Sequence, residues 1–336
     1  MSDASIADPI VFERVLPVSP DEAFELVTDP DRLRRWMAIS AAIDLRIGGD
    51  VRLTIVPGSV NEGTVVEVVP GRRYVSTWGW THHDDPGPGG STVEIDVEPH
   101  GEGTLLRLTH HGLSPESAAP HGEGWEHFLD RLTEAARHGD AGPDPWAEGI
   151  DDYDPLSSAE ACWAICARVL RQLAEHDRSR PTPCEAFTVH DLFDHLVDSV
   201  TRLGAAAGAE EPVVAADGEL EPRLAVVVEG CLAAWRGRGT DGEVAFGEAS
   251  VPATFFLGIL SLEFLIHAWD FAQAVDAPLA VPPTLVDHVR SVAAETIKSE
   301  YRGEGKGFAE ITPTSTTDAL TELMAFTGRT IREERT

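Results

Sequence analysis

SLEFLIHAWDFAQA, residues 261–274, is oily except for Glu263, His267 and Asp270, which are spaced four and three residues apart. A mostly apolar run of this length reads as a helix, and those spacings place all three polar residues on one side of it. Setting Glu263 at zero and advancing about 100° per residue, His267 falls near +40° and Asp270 near −20°. Phe256, Ile259, Leu260, Phe271 and Ala274 lie within about 80° of the same direction. The polar residues therefore interrupt an apolar stripe, and a buried unpaired carboxylate costs several kcal/mol. They need partners.

A candidate partner is His195 in TVHDLFDHLVDSVTRLG. Val189, Leu192, Leu196, Val200 and Leu203 form one face of that helix, with His195 roughly 100° from its centre, pointing into the seam with a neighbour. His195, Glu263 and His267 together make a two-imidazole, one-carboxylate set that suits zinc, nickel or ferrous iron and leaves positions open. Asp270 is placed to accept the other ring N–H of His267, and Asp191, one turn before His195, is the acid best placed to support it. A buried Glu–His hydrogen bond would satisfy the same helix, and a lone seam histidine needs no metal.

Outward from this helix the chain divides into two regions of different periodicity. Up to about residue 112 apolar residues alternate: Val93, Ile95 and Val97 with acids between, and Val51, Leu53 and Ile55 with Arg52 and Thr54 between. Turn signals (IGGD at 47–50, VPG at 56–58 and 69–71, PGPGG at 86–90) separate six or seven antiparallel strands. SPDEAF at 19–24 starts an early helix with a serine cap, a first-position proline and acids, broken at Asp29-Pro30 and ending near Trp36. Trp125, Phe128, Leu129, Leu132 and Ala136 recur at helical spacing. The layout is α+β, a curved sheet folded around a long helix, over residues 1–140. DAGPDPWAEGIDDYDP leads a linker at 141–155, and residues 156–336 read as an all-α bundle with helices near 156–176, 189–207, 219–238, 252–275, 282–302 and 315–327.

The net charge of −31 opposes nucleic-acid binding. MSDASIADPI lacks signal-peptide character, and no apolar run approaches the roughly 20 residues that span a bilayer. Cys162, Cys166, Cys184 and Cys231 form no C-x-x-C pair and fit reduced thiols. The expectation is a cytoplasmic protein without a membrane or nucleic-acid partner, its oligomeric state open. No P-loop, dinucleotide fingerprint or G-x-S-x-G element is present.

TPCEAFTVHDLFDHLV, EFLIHAWDFA and AFTGR together resemble the metal-binding, DinB-like four-helix-bundle family that includes mycothiol-dependent maleylpyruvate isomerase, over about residues 156–328. The resemblance implies a divalent metal, usually zinc, on His195, Glu263 and His267, and a low-molecular-weight thiol such as mycothiol as co-substrate. It carries metal binding more directly than isomerisation, since the isomerase has a further C-terminal domain. SPDEAFELVTDPDRLRRWM, the GG turn, NEGTVVEVVPGRRYVSTWGW and GWEHFLDRL resemble the START-like helix-grip proteins, above all homologues of the activator of the heat-shock protein 90 ATPase, over about residues 10–138. Such folds enclose an apolar cavity that binds hydrophobic small molecules. Alternation puts Tyr74, Trp78 and Trp80 on one sheet face with Trp36 and Phe128 opposite, as cavity lining or plain core. His82-His83-Asp84-Asp85 reads as a solvated loop, and of His110 and His111 at most one faces the cavity. Two functions fit: a metal- and thiol-dependent transferase or isomerase fed with an apolar substrate, or a non-catalytic binding or sensing protein with a structural metal.

Overall fold

The computed structural model describes residues 6–184, 187–246, 249–303, 306, 308–315 and 317–331. Outside them lie the first five residues, Glu185 and Ala186 of the TPCEAF motif, residues 247–248, Glu304, Gly305, Gly307, Thr316 and residues 332–336. The chain forms two compact units, Met1–Gly142 and Pro143–Thr336.

In the first unit, β1 (Ile10–Leu16) is followed by α1 (Pro20–Thr28) and α2 (Pro30–Leu33). Then come β2 (Ser40–Ile43), β3 (Asp50–Val56), β4 (Ser59–Val69), β5 (Arg73–Trp78), β6 (Ser91–His100), β7 (Gly103–His111) and α3 (Pro115–His138). The seven strands form one antiparallel sheet in the order β1-β7-β6-β5-β4-β3-β2. Asp29 separates α1 from α2: its backbone N–H closes α1 and its carboxylate accepts from Asp31 and Arg32 N–H. The period-two pattern of β6 is reproduced as alternating burial along the strand. Trp125, Phe128, Leu129, Leu132 and Ala135 of α3 pack into one core with Val93, Val97, Leu106 and Leu108 of the sheet. This is the helix-grip arrangement: the sheet curls and the long helix fills its concave face.

The second unit begins inside the stretch read as a linker. Asp144 caps α4 (Pro145–Glu148), and Glu148 is buried in a two-point ion pair with Arg168, at 2.8 and 3.2 Å. The Tyr153 hydroxyl donates to the Glu148 carbonyl. Residues 143–155 are thereby fastened to the helices that follow. Those are α5 (Pro155–Leu170), α6 (Val189–Ala205), α7 (Leu220–Arg238), the hairpin β8 (Glu243–Phe246) and β9 (Ala249–Pro252), then α8 (Ala253–Ala274), α9 (Pro283–Thr296) and α10 (Ala319–Phe326). The hairpin escapes the sequence because alternation over four residues is too short to register.

Helix α8 is the centre of the unit, packing against α5, α6 and α9. It is long and apolar enough to cross a bilayer, contrary to the expectation that no run approaches that length, but 83% of the qualifying window is buried inside the protein. Burial extends round nearly the whole helix, from Leu257 and Phe264 to Trp269 and Ala272, rather than along one stripe. Glu263, His267 and Asp270 are thus polar groups on a core helix.

Candidate metal centre

Helix α6 starts at Thr188, whose hydroxyl accepts from Asp191 N–H while the Asp191 carboxylate accepts from the Thr188 N–H at 3.0 Å and its hydroxyl at 2.6 Å. This reciprocal cap consumes Asp191, leaves it exposed, and holds its carboxyl below the usual range through the Thr188 hydrogen bonds. Asp191 therefore caps the helix, and among the described residues no hydrogen bond or ion pair joins it to His195, where a supporting role was expected. One turn further along, His195 leans into the seam between α6 and α8, its ring stacked on Phe187 with centroids 5.3 Å apart.

The structure brings His195, Glu263 and His267 together. His195 Nε2 lies 3.3 Å and His267 Nε2 3.4 Å from the same oxygen, Oε2 of Glu263. One donor atom from each of the three falls within 4.8 Å of the others, the single such His/Cys/Asp/Glu group among the described residues. Asp270 Oδ2 accepts the Nδ1 proton of His267 at 2.9 Å. A neutral His267 consequently turns its Nε2 lone pair toward Glu263, and two acceptors 3.4 Å apart require a cation between them, a proton or a metal. Glu263 Oε2 is buried and makes no hydrogen bond despite the two nearby imidazoles. Two imidazole nitrogens and a carboxylate oxygen lie within 4.8 Å of one another, so the donor set fits a divalent metal.

Burial pushes the Glu263 carboxyl up, yet the two imidazoles override it and hold it well below the usual carboxylate range. Burial also opposes charge on His267, but Asp270 and Glu263 overcome it and raise its pKa. Asp270, fully buried, is held down by His267 and Arg329 in spite of desolvation.

Arg329 is the residue of the candidate site that residue-by-residue reading missed. Its Nη2 lies 2.8 Å and its Nε 3.3 Å from the Asp270 oxygens. The chain reaches that point by a turn after α10 in which Gly328 has φ +89° and its α-carbon faces Ala309, whose backbone would stand 2.9 Å from an added Cβ. Only glycine fits there. The AFTGR signal was visible, but its role depends on a contact 59 residues from Asp270. Arg329, Asp270 and His267 form a chain of charges that fixes the imidazole.

The triad faces a 420 Å3 pocket with Phe187, Leu262, Ile266 and Phe308 in its apolar wall and Cys184, Lys306 and Arg329 among its polar lining. That is the size of an ordinary small-molecule site. Cys162 and Cys166, by contrast, are fully buried, with thiols pushed up by desolvation, and act as small core residues.

In the first unit a small cavity of 30 Å3 opens beside Trp36, Tyr74 and Trp78. Trp80 and Phe128 do not line it. Trp80 lies past the end of β5 and donates its indole N–H to His121 Nε2 at 3.1 Å, while Phe128 is packed in the α3 core. His110 is completely buried and His111 reaches out to Glu94 at 3.3 Å. Trp125 donates to His110 Nδ1 at 3.0 Å, so His110 is the Nε2–H tautomer donating to Ser91 at 2.8 Å, and Ser91 in turn donates to the Trp78 carbonyl. Burial lowers His110 to about 3. His82, His83, Asp84 and Asp85 are exposed.

A family model described as Activator of Hsp90 ATPase homolog 1-like protein matches residues 17–137, and one described as Mycothiol maleylpyruvate isomerase N-terminal domain matches residues 159–272. The chain carries one domain of each family. His195, Glu263, His267 and Asp270 all fall within the isomerase-type match, whereas Arg329 lies beyond it. The uncharacterized protein Rv0738 of Mycobacterium tuberculosis is 31% identical over 183 residues, covering 53% of this chain and all of that protein. Among solved structures, the AHSA1-like protein of Rhizobium etli is 38% identical over 45% of this chain and 96% of its own, with a TM-score of 0.33. CalU16 of Micromonospora echinospora is 31% identical over 41% and 77%, with a TM-score of 0.35.

Proposed function

We propose that the isomerase-type domain, a DinB-like four-helix bundle, is a divalent-metal site built from His195, Glu263 and His267, serving a metal- and thiol-dependent transfer or isomerisation. The observation that carries this is the convergence of two imidazole nitrogens on a buried carboxylate oxygen that bonds to neither. Two nitrogens and one oxygen favour zinc, with nickel or ferrous iron as alternatives. When bound, such a metal supplies Lewis acidity and holds a thiol as thiolate.

The chain's own residues supply the rest. Asp270 and Arg329 hold the His267 ring so that Nε2 faces the pocket. Phe187 fixes the His195 plane by stacking. The apolar wall of the pocket excludes water from one side of the triad, and Lys306 and Arg329 favour an anionic group beside it. The family name of this domain directs attention to mycothiol as the low-molecular-weight thiol. The activator-type domain would gather a hydrophobic small molecule.

Metal analysis of the purified protein, with His267→Ala as control and a thiol-transfer assay, tests the reading. One metal per chain, lost in the variant, with thiol transfer lost alongside, is expected. Wild-type protein without metal after anaerobic purification and reconstitution sinks it. Metal held in a saturated, water-free shell would favour the non-catalytic binding or sensing role instead.

A further inference from the structure

Three of the four indole N–H groups of the activator-type domain find acceptors. Trp36 donates to the Leu26 carbonyl at 2.8 Å, Trp125 to His110, and Trp80 to His121. The Tyr74 hydroxyl and the Trp78 indole N–H have no partner, although Tyr74 and Trp78 are only 4% and 6% exposed. Both residues line the same small cavity, with Ser76 between them on β5. A buried donor without a partner is rare in a folded protein and calls for an explanation. Here two such donors belong to residues that line one cavity.

We propose that this cavity recognises an uncharged, carbonyl-bearing apolar molecule, with Tyr74 and Trp78 as hydrogen-bond donors to its oxygen. The inference rests on the reading that this domain takes up a hydrophobic small molecule, and it specifies the class. Indole N–H is a donor only, so the ligand must offer an acceptor. Burial outweighs the opposing influence of neighbouring Ser76 and pushes the Tyr74 phenol up to about 12, which keeps it protonated and able to donate. The described lining is Val, Leu, Ile, Met and Trp side chains with Tyr74 and Ser76, and it includes no charged residue, so a carboxylate would be left without a counter-charge. The 30 Å3 of space holds a water rather than a ring. The ligand is therefore admitted by displacement of wall side chains, of which Met37, unbranched and adaptable, yields most readily.

Acetophenone and α-methylstyrene have the same shape and differ in C=O against C=CH2. The full-length protein with isotope-labelled indoles is titrated with each, and with benzoate as a charged control. Acetophenone should bind about tenfold more tightly than the hydrocarbon, the worth of one or two net hydrogen bonds. It alone should move the Trp78 indole N–H resonance, assigned by its disappearance in Trp78→Phe. Benzoate should bind more weakly than both. In Tyr74→Phe the preference for the ketone should shrink while hydrocarbon binding persists. Equal affinities with an unmoved Trp78 resonance overturn the proposal and leave uptake of apolar molecules standing; the two donors would then serve only a trapped water. Tighter binding of benzoate than of acetophenone also overturns it. If neither neutral probe binds, the hydrophobic-ligand reading fails too. Should Tyr74→Phe not fold, the wild-type resonance decides alone.

Discussion

Each unit buries histidines beside other polar groups, and the two clusters behave in opposite ways. In the activator-type domain His110 uses both ring nitrogens, accepting from Trp125 and donating to Ser91, and His121 likewise donates to the Ser117 carbonyl and accepts from Trp80. Both pKa values are lowered by burial. In the isomerase-type domain two imidazoles aim at one carboxylate oxygen that remains without a hydrogen bond. The lesson is that burial of a histidine says little about function. What separates a structural cluster from a candidate centre is whether its polar atoms are already paired with one another.

The sharpest way to break this contrast is to remove a donor from each side. His267→Ala should abolish stoichiometric metal in the isomerase-type domain, whereas Trp125→Phe in the other should leave metal content unchanged, both read by elemental analysis. If the two variants bind metal alike, pairing was the wrong criterion.

A second variant tests how far the open cluster depends on its support. Arg329→Met leaves Asp270 fully buried with His267 as its remaining ionic partner. Breaking a buried pair on one side costs about 3–5 kcal/mol, and loss of an orienting partner lowers metal affinity by about 10–100-fold. Unfolding by denaturant and metal competition should show both effects. An Arg329→Lys variant, which keeps the charge without the two-point geometry, should recover part of the stability and less of the affinity.

The difference between the clusters also bounds what could be read from sequence. Spacing along one helix is local, so Glu263, His267 and Asp270 could be grouped from the wheel, and His195 followed from its place on the shoulder of α6. Strand alternation likewise gave the core faces of β3 and β6. What was hidden depends on where elements stop and what the backbone does there. Trp80 has the parity of Tyr74 and Trp78, but β5 ends at Trp78 and parity ceases to mean anything. Asp191 sits one turn before His195, yet the helix starts so close that its cap claims the carboxylate. The stretch 141–155 has linker composition, but its prolines and aspartates are also what starts α4 and α5. Arg329 needs a glycine-dependent turn to arrive at all.

On the satisfied side, Trp125→Phe removes the donor to His110 Nδ1 and strands a buried acceptor. That costs about 1–3 kcal/mol, measurable as a lowered denaturation midpoint of the activator-type domain. A loss below about 0.5 kcal/mol would mean the network contributes less to stability than its pairing implies.

The smallest effect is one of pH, and its sign follows from the same pairing. His110 titrates at about 3 in the folded domain because burial disfavours its charged form, against an ordinary value of 6.5. Between those two values the unfolded chain binds the proton and the folded one does not, so stability rises with pH there. The contribution is complete above about 6.5 and is lost progressively as pH falls toward 3. One proton corresponds to a slope of at most about 1.4 kcal/mol per pH unit. His121, also lowered by burial, adds to the slope in the same direction. Replacing His110 with Gln should therefore flatten the dependence of stability on pH between 4.5 and 6, even if it lowers stability at pH 7. An unchanged slope would mean that His110 is charged in the folded state, which the indole donor at Nδ1 forbids.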